Sequence, residues 1–211
     1  MELVVATRNR KKLAEIRYML KGLGFKVKSL ADYKGLPRIV EDGTTFAQNA
    51  IKKSATIAQY LRKLTIGEDS GLEVKALGNR PGVYSSRYSG EGACDKKNNS
   101  KILRELKSVP LKQRQARYIC SVAIADAHRL LGVFEGKCSG VITTKERGRA
   151  GFGYDPLFVV PEQGKTFAQL DPGLKNRISH RGRAFALAKE LILGLKHSCD
   201  TMEKGDEECC G

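Results

Sequence analysis

Short apolar runs alternate with helically spaced apolar residues along the first third of the chain. The run over residues 3–6 predicts a strand, and apolar residues at positions 13, 16, 20 and 23 behind it predict an amphipathic helix. Residues 25–30 predict a second strand. Small residues recur on one face over residues 47–61, and this pattern predicts a second helix.

The second half of the chain predicts a hairpin and a closing helix. Residues 116–125 are the longest strand candidate, and residues 130–134 pair with them through a short polar turn. A helix is expected over residues 98–106, and the apolar residues 157–160 follow a glycine-rich stretch. The last helix has one strongly apolar face, formed by Ala184, Phe185, Ala188, Leu191, Ile192 and Leu195.

Residues 65–72 place two carboxylates, Glu68 and Asp69, where a strand is predicted to run into a turn. Consecutive side chains on an extended backbone point to opposite sides, so we expect a bend at Gly71 to bring both acids to one site. Paired carboxylates at a strand end suit Mg²⁺, which takes one or two carboxylates together with substrate phosphates. Glu-Asp-Ser-Gly is also ordinary turn chemistry, and the stretch alone leaves both interpretations open.

The segment between the first strand and the first helix is polar and basic. Thr7 and Asn9 are good helix caps, and the free N–H groups of a helix start with a lysine nearby form a natural phosphate cradle. The alternative is a capped helix with a solvated basic face. The glycines of a Walker A loop are missing. The candidate cradle consists of Thr7, Arg8, Asn9, Arg10, Lys11 and Lys12.

Three further polar stretches adjoin the ends of predicted elements. Glu41 precedes a threonine-capped helix, and it is either a second metal ligand or an acid that complements the helix dipole. The glycines of residues 148–156 allow the backbone to approach a flat ligand with Phe152 stacked on a base; alternatively, the aromatic residues of this loop close the core. Residues 179–181 fall at the start of the last helix, where an anion is compatible.

The 211 residues suffice for one substantial core, arranged as one domain or two lobes. Lys and Arg number 38 against 23 Asp and Glu, and the formal net charge of +15 favours polyanionic partners. No apolar run approaches the length of a membrane span, and the first residues lack the features of a signal peptide, so we expect a soluble cytoplasmic protein. Residues 196–211 are polar, and we expect them to form a disordered tail behind a domain of residues 1–195.

A series of short motifs covers nearly the whole chain up to about residue 195. The motifs are Thr7-x-Asn9-x-x-Lys12, Phe46-x-x-Asn49-Ala50-x-x-Lys53, Asp69-Ser70-Gly71-Leu72, Pro81-Gly82-x-Tyr84-Ser85-x-Arg87-Tyr88-x-Gly90, Gly151-Phe152-Gly153-Tyr154-Asp155-Pro156 and Ser179-His180-Arg181-Gly182. In this order they resemble the inosine triphosphate pyrophosphatase family. Two positions depart from the family pattern, because Glu68 and Gln48 stand where Asp and Glu are expected. The extra methylene of Glu68 is expected to alter the metal geometry.

The resemblance implies a mixed α/β fold, with a central β-sheet flanked by helices and two lobes around a nucleotide-binding cleft. It also implies Mg²⁺-dependent hydrolysis of deaminated purine nucleoside triphosphates (ITP, dITP and XTP) to the monophosphate and pyrophosphate. A homodimer is implied, with no membrane and no specific nucleic-acid partner.

The same resemblance assigns roles to residues. Asp69 is expected to activate the water and to bind Mg²⁺ together with Glu41, with Glu68 in support. Lys53 and Ser70 are expected to hold the triphosphate with the turn of residues 7–12. Recognition of the base is assigned to Phe152, Gly153, Tyr154, Asp155, Lys175, His180 and Arg181.

Two other functions stay open at this point. A basic RNA-binding module would use the surplus positive charge, although only 7% of the residues are aromatic and no RRM or KH signature is present. The second is an enzyme that uses the same cleft on standard nucleotides or modified pyrimidines. Activity ratios across bases separate this enzyme from a deaminated-purine pyrophosphatase.

Overall fold

Eight strands form one mixed sheet in the computed structural model, which describes residues 1–205 and the side chains of residues 1–196. The first elements are β1 Glu2–Val5, α1 Arg10–Met19, β2 Lys26–Ser29, α2 Phe46–Leu61, β3 Thr65–Val74 and β4 Arg80–Pro81. The remaining elements are α3 Asp95–Glu105, β5 Gln115–Ala125, β6 Leu130–Ile142, β7 Phe158–Val160, β8 Lys165–Thr166, α4 Pro172–Ile178 and α5 His180–Gly205.

The strand order is β2-β1-β3-β5-β6-β7-β8, with β4 beside β3. β1 runs parallel to β2 and β3, whereas the other neighbouring pairs are antiparallel. The predicted hairpin is present as β5 and β6, although β6 is longer than the pattern indicated. The predicted mixed α/β fold with a central sheet is therefore confirmed.

One edge of β3 is only partly paired. β5 covers the other edge along the whole strand. On the partly paired edge, β1 reaches only Thr65 and Ile66, and β4 reaches only Glu73 and Val74. Among the described strands, none pairs with residues 67–72 on this edge. The gap opens at the end of β1, and the ends of parallel strands are where open α/β sheets form their ligand crevice.

The predicted bend at Gly71 is wrong. β3 continues without a turn to Val74, and Gly71 lies opposite Ile119 of β5 in the ladder. A Cβ atom at Gly71 would lie 2.4 Å from Ser85 Oγ and 2.8 Å from the Phe46 ring. The glycine therefore serves close packing rather than a change of direction. A 3₁₀ turn, Lys75–Leu77, follows the strand directly.

Side chains alternate along β3 and β5, so the two faces of the sheet have different cores. On one face, a first apolar cluster, the α1/α5 cluster, joins Ile66 and Val122 to residues of α1 and α5. Further along the same face, the α3 cluster joins Leu72 and Tyr118 to residues of α3. The opposite face packs against α2, where Ile57 joins residues of β1. One face of this pair of strands therefore carries two separate apolar clusters, and the division into two lobes stays a prediction.

α5 extends beyond the domain end that the sequence pattern indicated. It continues to Gly205, whereas a disordered tail is expected from residue 196. Residues 196–204 contain no glycine or proline, so no strong helix breaker ends the helix earlier. Residues 206–211 lie outside the described residues, and the division into domain and tail stays a prediction. Across the described helices, none is both long and apolar enough to cross a membrane.

The packing of α2 on β3 depends on Gly67. A Cβ atom at this position would lie 2.0 Å from the carbonyl oxygen of Ala50 and 2.6 Å from the backbone nitrogen of Ser54. These neighbours are backbone atoms of α2, which cannot rotate away as a side chain can. The small-residue face predicted for this helix is therefore the surface that meets the sheet.

We predict that Gly67→Ala lowers the free energy of unfolding by about 2 kcal/mol, because the added methyl group pushes α2 away from β3. Urea denaturation measures this loss. Gly194→Ala is the matched control, since a Cβ atom there meets nothing within 4 Å and alanine is favoured in a helix. Equal stability of Gly67→Ala and the wild type would contradict this account of the packing.

Candidate active site

Residues 69–71, in the gap beside β1, line a cleft of about 650 Å³. The cleft brings together most of the predicted site residues: Thr7, Arg8, Asn9, Lys12, Glu41, Lys53, Asp69, Ser70, Phe152, Gly153, Tyr154, Asp155, Lys175, His180 and Arg181. Arg10 is exposed and does not line the cleft. Lys11 lies near it, with its ammonium 5.9 Å from the centre of the Phe152 ring.

The start of α1 forms one wall of the cleft. Asn9 caps the helix as predicted, because its side-chain oxygen accepts hydrogen bonds from the N–H groups of Lys11 at 3.0 Å and Lys12 at 3.1 Å. Thr7 Oγ1 accepts from the N–H of Asn9 at 3.1 Å. The cap engages N–H groups that were expected to bind phosphate. The positive groups that this wall offers to the cleft are therefore the side chains of Arg8 and Lys12 and the positive end of the helix dipole.

Asp69 points to the α2 face of the sheet, where two α2 side chains orient its carboxylate. Asn49 donates to Asp69 Oδ2 at 3.1 Å, and Lys53 Nζ lies 3.0 Å from Asp69 Oδ1. Lys53 also lies 2.8 Å from Glu41 Oε2 and donates to the carbonyl oxygen of Glu68 at 3.2 Å. The ammonium group of Lys53 thus lies between the two carboxylates that were predicted to bind metal.

The pKa of Lys53 reflects this position. Burial alone would lower it, but the carboxylates of Asp69 and Glu41 outweigh burial, and the pKa is raised above its usual value. The lysine is therefore charged in the cleft. In the described part of the chain, no group of three or more His, Cys, Asp or Glu residues could hold a metal by itself. Asp69 and Glu41 are carboxylates, the ligand type that Mg²⁺ takes together with phosphate oxygens and water, and both contact the same ammonium group of Lys53.

Glu68 points to the other face and belongs to a second charge cluster. Its Oε2 lies 2.9 Å from Lys12 Nζ, and its Oε1 accepts from Arg181 Nη2 at 3.0 Å. Burial raises the pKa of Glu68, yet the charges of Lys12 and Arg181 hold it well below its usual range. The structure thus pairs Glu68 with cations of α1 and α5, on the opposite face of the sheet from Asp69, rather than beside the predicted metal ligands.

Arg181 links this cluster to the far end of the cleft. It is 2% exposed, and its Nη2 donates to Ser70 Oγ at 2.9 Å. Glu15 of α1 accepts from Arg181 and from Lys175 Nζ, the latter at 2.8 Å. Lys175 in turn pairs with Asp155 of the glycine-rich loop. Alternating charges therefore connect the start of α1 to that loop.

Glu15 is a site residue that the sequence analysis missed. It lies three positions after Lys12 on α1, so both side chains fall on one helix face. That spacing was available in the sequence. However, the pattern did not show that this face meets Arg181 and Lys175, which lie more than 150 residues further along the chain.

Asn49 was quoted as part of a motif but given no role. Besides orienting Asp69, it accepts a hydrogen bond from the N–H of Gly43 at 2.8 Å and so fixes the segment behind Glu41. The neighbouring Gln48, a departure from the family pattern, accepts from the N–H of Thr44 at 2.8 Å. An amide oxygen meets this need as well as a carboxylate, so the departure leaves the cap of α2 intact.

The aromatic end of the cleft is formed by the glycine-rich loop. Lys175 Nζ lies 5.0 Å and the Arg181 guanidinium 5.7 Å from the centre of the Phe152 ring. Tyr154 is buried and donates to the carbonyl oxygen of Ser85 at 2.7 Å. Asp155 accepts from the N–H of Phe152 at 2.9 Å, and burial raises its pKa despite Lys175. Phe152 is therefore the half-buried flat surface that lines the cleft, whereas Tyr154 closes the core.

His180 is the first residue of α5 and lies at the bottom of the aromatic end. Its ring stacks on Tyr118 with centroids 4.5 Å apart and an interplanar angle of 8°. Burial, reinforced by the charge of Arg181, holds its pKa well below the usual value. The imidazole is therefore neutral. Its Nδ1 atom is buried and has no hydrogen-bond partner within the described residues.

The chain is similar in sequence to known proteins over most of its length. A dITP/XTP pyrophosphatase of Shouchella clausii (strain KSM-K16) is 50% identical over 194 residues, which cover 92% of this chain and 98% of the relative. A dITP/XTP pyrophosphatase of Geobacter sulfurreducens is 50% identical over 190 residues, covering 90% of this chain and 96% of the relative.

Solved structures are similar over the same length. The Staphylococcus aureus Ham1 protein matches with a TM-score of 0.81 and 37% identity, covering 92% of this chain and 99% of its own. A HAM1 protein from Coxiella burnetii matches with a TM-score of 0.81 and 38% identity, covering 93% and 99%. The model of the Ham1 family matches residues 3–191. These matches confirm the family resemblance of the motifs, and the chain belongs to the Ham1 family.

Proposed function

We propose that the protein hydrolyses deaminated purine nucleoside triphosphates, namely dITP, XTP and ITP, to the monophosphate and pyrophosphate. The observation that carries this proposal is a single cleft with two chemically different ends. One end holds the Asp69, Lys53 and Glu41 cluster beside the start of α1, and the other holds Phe152 with buried Arg181. Curated relatives that cover nearly the whole chain are named dITP/XTP pyrophosphatases.

The triphosphate occupies the end of the cleft between α1 and α2. Arg8, Lys12 and Lys53 line this end and supply positive charge, and Ser70 supplies a hydroxyl group. Donors that are already oriented before the substrate arrives stabilise the charge that develops on the phosphates during cleavage. Binding of the triphosphate thus uses three of the 38 basic residues of the chain.

Asp69 is the proton acceptor for the attacking water. Its carboxylate is held from both sides by Asn49 and Lys53, so its orientation is set before the substrate binds. Mg²⁺ would be held by Asp69 and Glu41, and when bound it would neutralise the phosphates and stabilise the leaving pyrophosphate. Lys53, between the two carboxylates, keeps them close together in the absence of other cations.

The base binds at the aromatic end, against Phe152. Hypoxanthine and xanthine carry an oxygen acceptor at position six, where adenine carries an amino donor. Arg181 has only donor groups, and its guanidinium is buried, so it matches the oxygen and faces the amino group without a hydrogen bond. A buried polar mismatch rejects a ligand more strongly than a change in size does.

We further propose that the enzyme acts in the cytoplasm as a homodimer.

We predict that Asp69→Asn lowers kcat for pyrophosphate release from ITP and XTP about a thousandfold, because the water loses its proton acceptor. Asp42→Asn is the matched control. Asp42 is an exposed acid close to Glu41 in the chain that pairs with Lys52 and does not line the cleft. Near wild-type turnover by a folded Asp69→Asn variant would overturn the role of Asp69.

We also predict that removal of divalent cations with a chelator abolishes pyrophosphate release and that added Mg²⁺ restores it. The release assay is run on the wild type with ITP, XTP, ATP and GTP. Glu41→Gln is expected to raise the Mg²⁺ concentration that gives half-maximal activity, since it removes one carboxylate ligand. Full activity in the presence of the chelator would contradict the proposed metal dependence. Equal activity on all four nucleotides would favour an enzyme of standard nucleotides.

For base selection, we predict that Arg181→Ala narrows the ratio of kcat/KM for ITP over ATP by about tenfold, because it removes the charged donor. Arg181→Lys, which keeps a cation but not the fork of donors, is expected to fall between the wild type and the alanine variant. Circular dichroism establishes that both variants are folded. An unchanged ratio in folded protein would show that another group selects the base.

A further inference from the structure

We propose that Asp95 is a positioning residue that holds the base-binding loop to the start of α3 at the mouth of the cleft. The proposal rests on the proposed function, because it assigns the loop of Phe152 to the base. Asp95 is the first residue of α3, lines the cleft, and was not among the predicted site residues. It contacts neither Asp69 nor the Lys53 cluster in the described hydrogen bonds and ion pairs.

One carboxylate oxygen of Asp95 makes both contacts. Asp95 Oδ2 accepts a hydrogen bond from the N–H of Gly153 at 2.9 Å, and it lies 3.5 Å from Lys11 Nζ. The same lysine ammonium lies 5.9 Å from the centre of the Phe152 ring. Asp95, Lys11 and the Phe152 loop therefore meet at one point, although they come from three separate segments of the chain.

The three segments are anchored in two parts of the core, because Tyr154 of the loop belongs to the same α3 cluster as α3 itself. α1 packs in the α1/α5 cluster through Ile16, whereas α3 packs in the α3 cluster through Ile102. The inner side of the loop is fixed by the hydrogen bond between Phe152 and Asp155 and by that between Tyr154 and Ser85. The contact of Gly153 with Asp95 fixes its outer side. These contacts thus hold the loop in the position that places the Phe152 ring beside the Arg181 guanidinium.

Two effects of removing Asp95 have opposite signs. Loss of a negative charge beside a cleft for a triphosphate should by itself strengthen substrate binding, because the cleft becomes more positive. Loss of the hydrogen bond to Gly153 should weaken binding, because the loop must then be ordered when the substrate arrives. The direction of the change in KM therefore separates a positioning role from a simple charge effect.

The experiment compares Asp95→Ala with Asp95→Asn in the full-length protein. Asparagine keeps an acceptor for the N–H of Gly153 but removes the charge, whereas alanine removes both. We expect Asp95→Ala to raise KM for ITP about fivefold with kcat almost unchanged, and Asp95→Asn to show a KM at or below that of the wild type. Glu162→Ala, which removes an exposed acid outside the cleft, is the control and leaves both constants unchanged.

Hydrogen exchange of the nucleotide-free protein provides a second readout. The peptide that covers residues 150–156 should exchange faster in Asp95→Ala than in the wild type and in Asp95→Asn. An acid in the first turn also stabilises α3 through the helix dipole. That role alone would lower the unfolding midpoint of both variants, without the split in KM or in exchange.

A KM for Asp95→Ala that is equal to or below the wild-type value, or unchanged exchange at residues 150–156, would overturn the proposal. Exchange does not depend on which nucleotide is hydrolysed. If the wild type releases pyrophosphate from none of the four triphosphates, the proposed function fails. The exchange measurement then still decides whether Asp95 holds the loop.

Discussion

The alternation of side chains along β3 divides the site into two charge clusters. Glu68 and Asp69 are neighbours on an extended strand, so their carboxylates point to opposite faces of the sheet. Each acid has its own cations: Asp69 pairs with Lys53 of α2, and Glu68 pairs with Lys12 and Arg181 from α1 and α5. The unpaired edge of β3 allows residues from both faces to line one cleft. The straight strand therefore keeps the two carboxylates apart, whereas a bend was expected to bring both to one site.

Because the Glu68 cluster is buried, each of its charged side chains depends on its partners for stability. Arg181 is 2% exposed and Glu68 is 1% exposed, and the cluster lies between the α1/α5 and α3 apolar clusters. Removing one partner of a buried ion pair typically costs about 3–5 kcal/mol, because the other charge loses its compensation. The carboxylates on either side of Arg181, Glu68 and Glu15, therefore fix the direction of its donors. A donor held in this way discriminates between an oxygen and an amino group more sharply than a mobile one.

Local sequence patterns correctly predicted those structural features that depend only on residues close together in the chain. The strand of residues 3–6, the hairpin of β5 and β6 and the cap by Asn9 follow from periodicity and from capping chemistry, which act over a few residues. The bend at Gly71 was wrong because the interpretation used the conformational freedom of glycine. The actual reason for glycine there is contact with Phe46 and Ser85, which local sequence does not show.

The sequence by itself determined the longer strands, the principal helices, the family motifs and about half of the residues that line the cleft. Only the tertiary structure decided how those side chains are paired: Glu68 with Arg181 rather than with the Asp69 cluster, Glu15 with Lys175, and Asp95 with Gly153. The physical reason is that helix and strand preferences are local, whereas an ion pair between distant segments depends on the packing that brings them together. The motifs show which residues are present. The direction of β3 through the sheet decides which of its alternating side chains face α2 and which face α1 and α5.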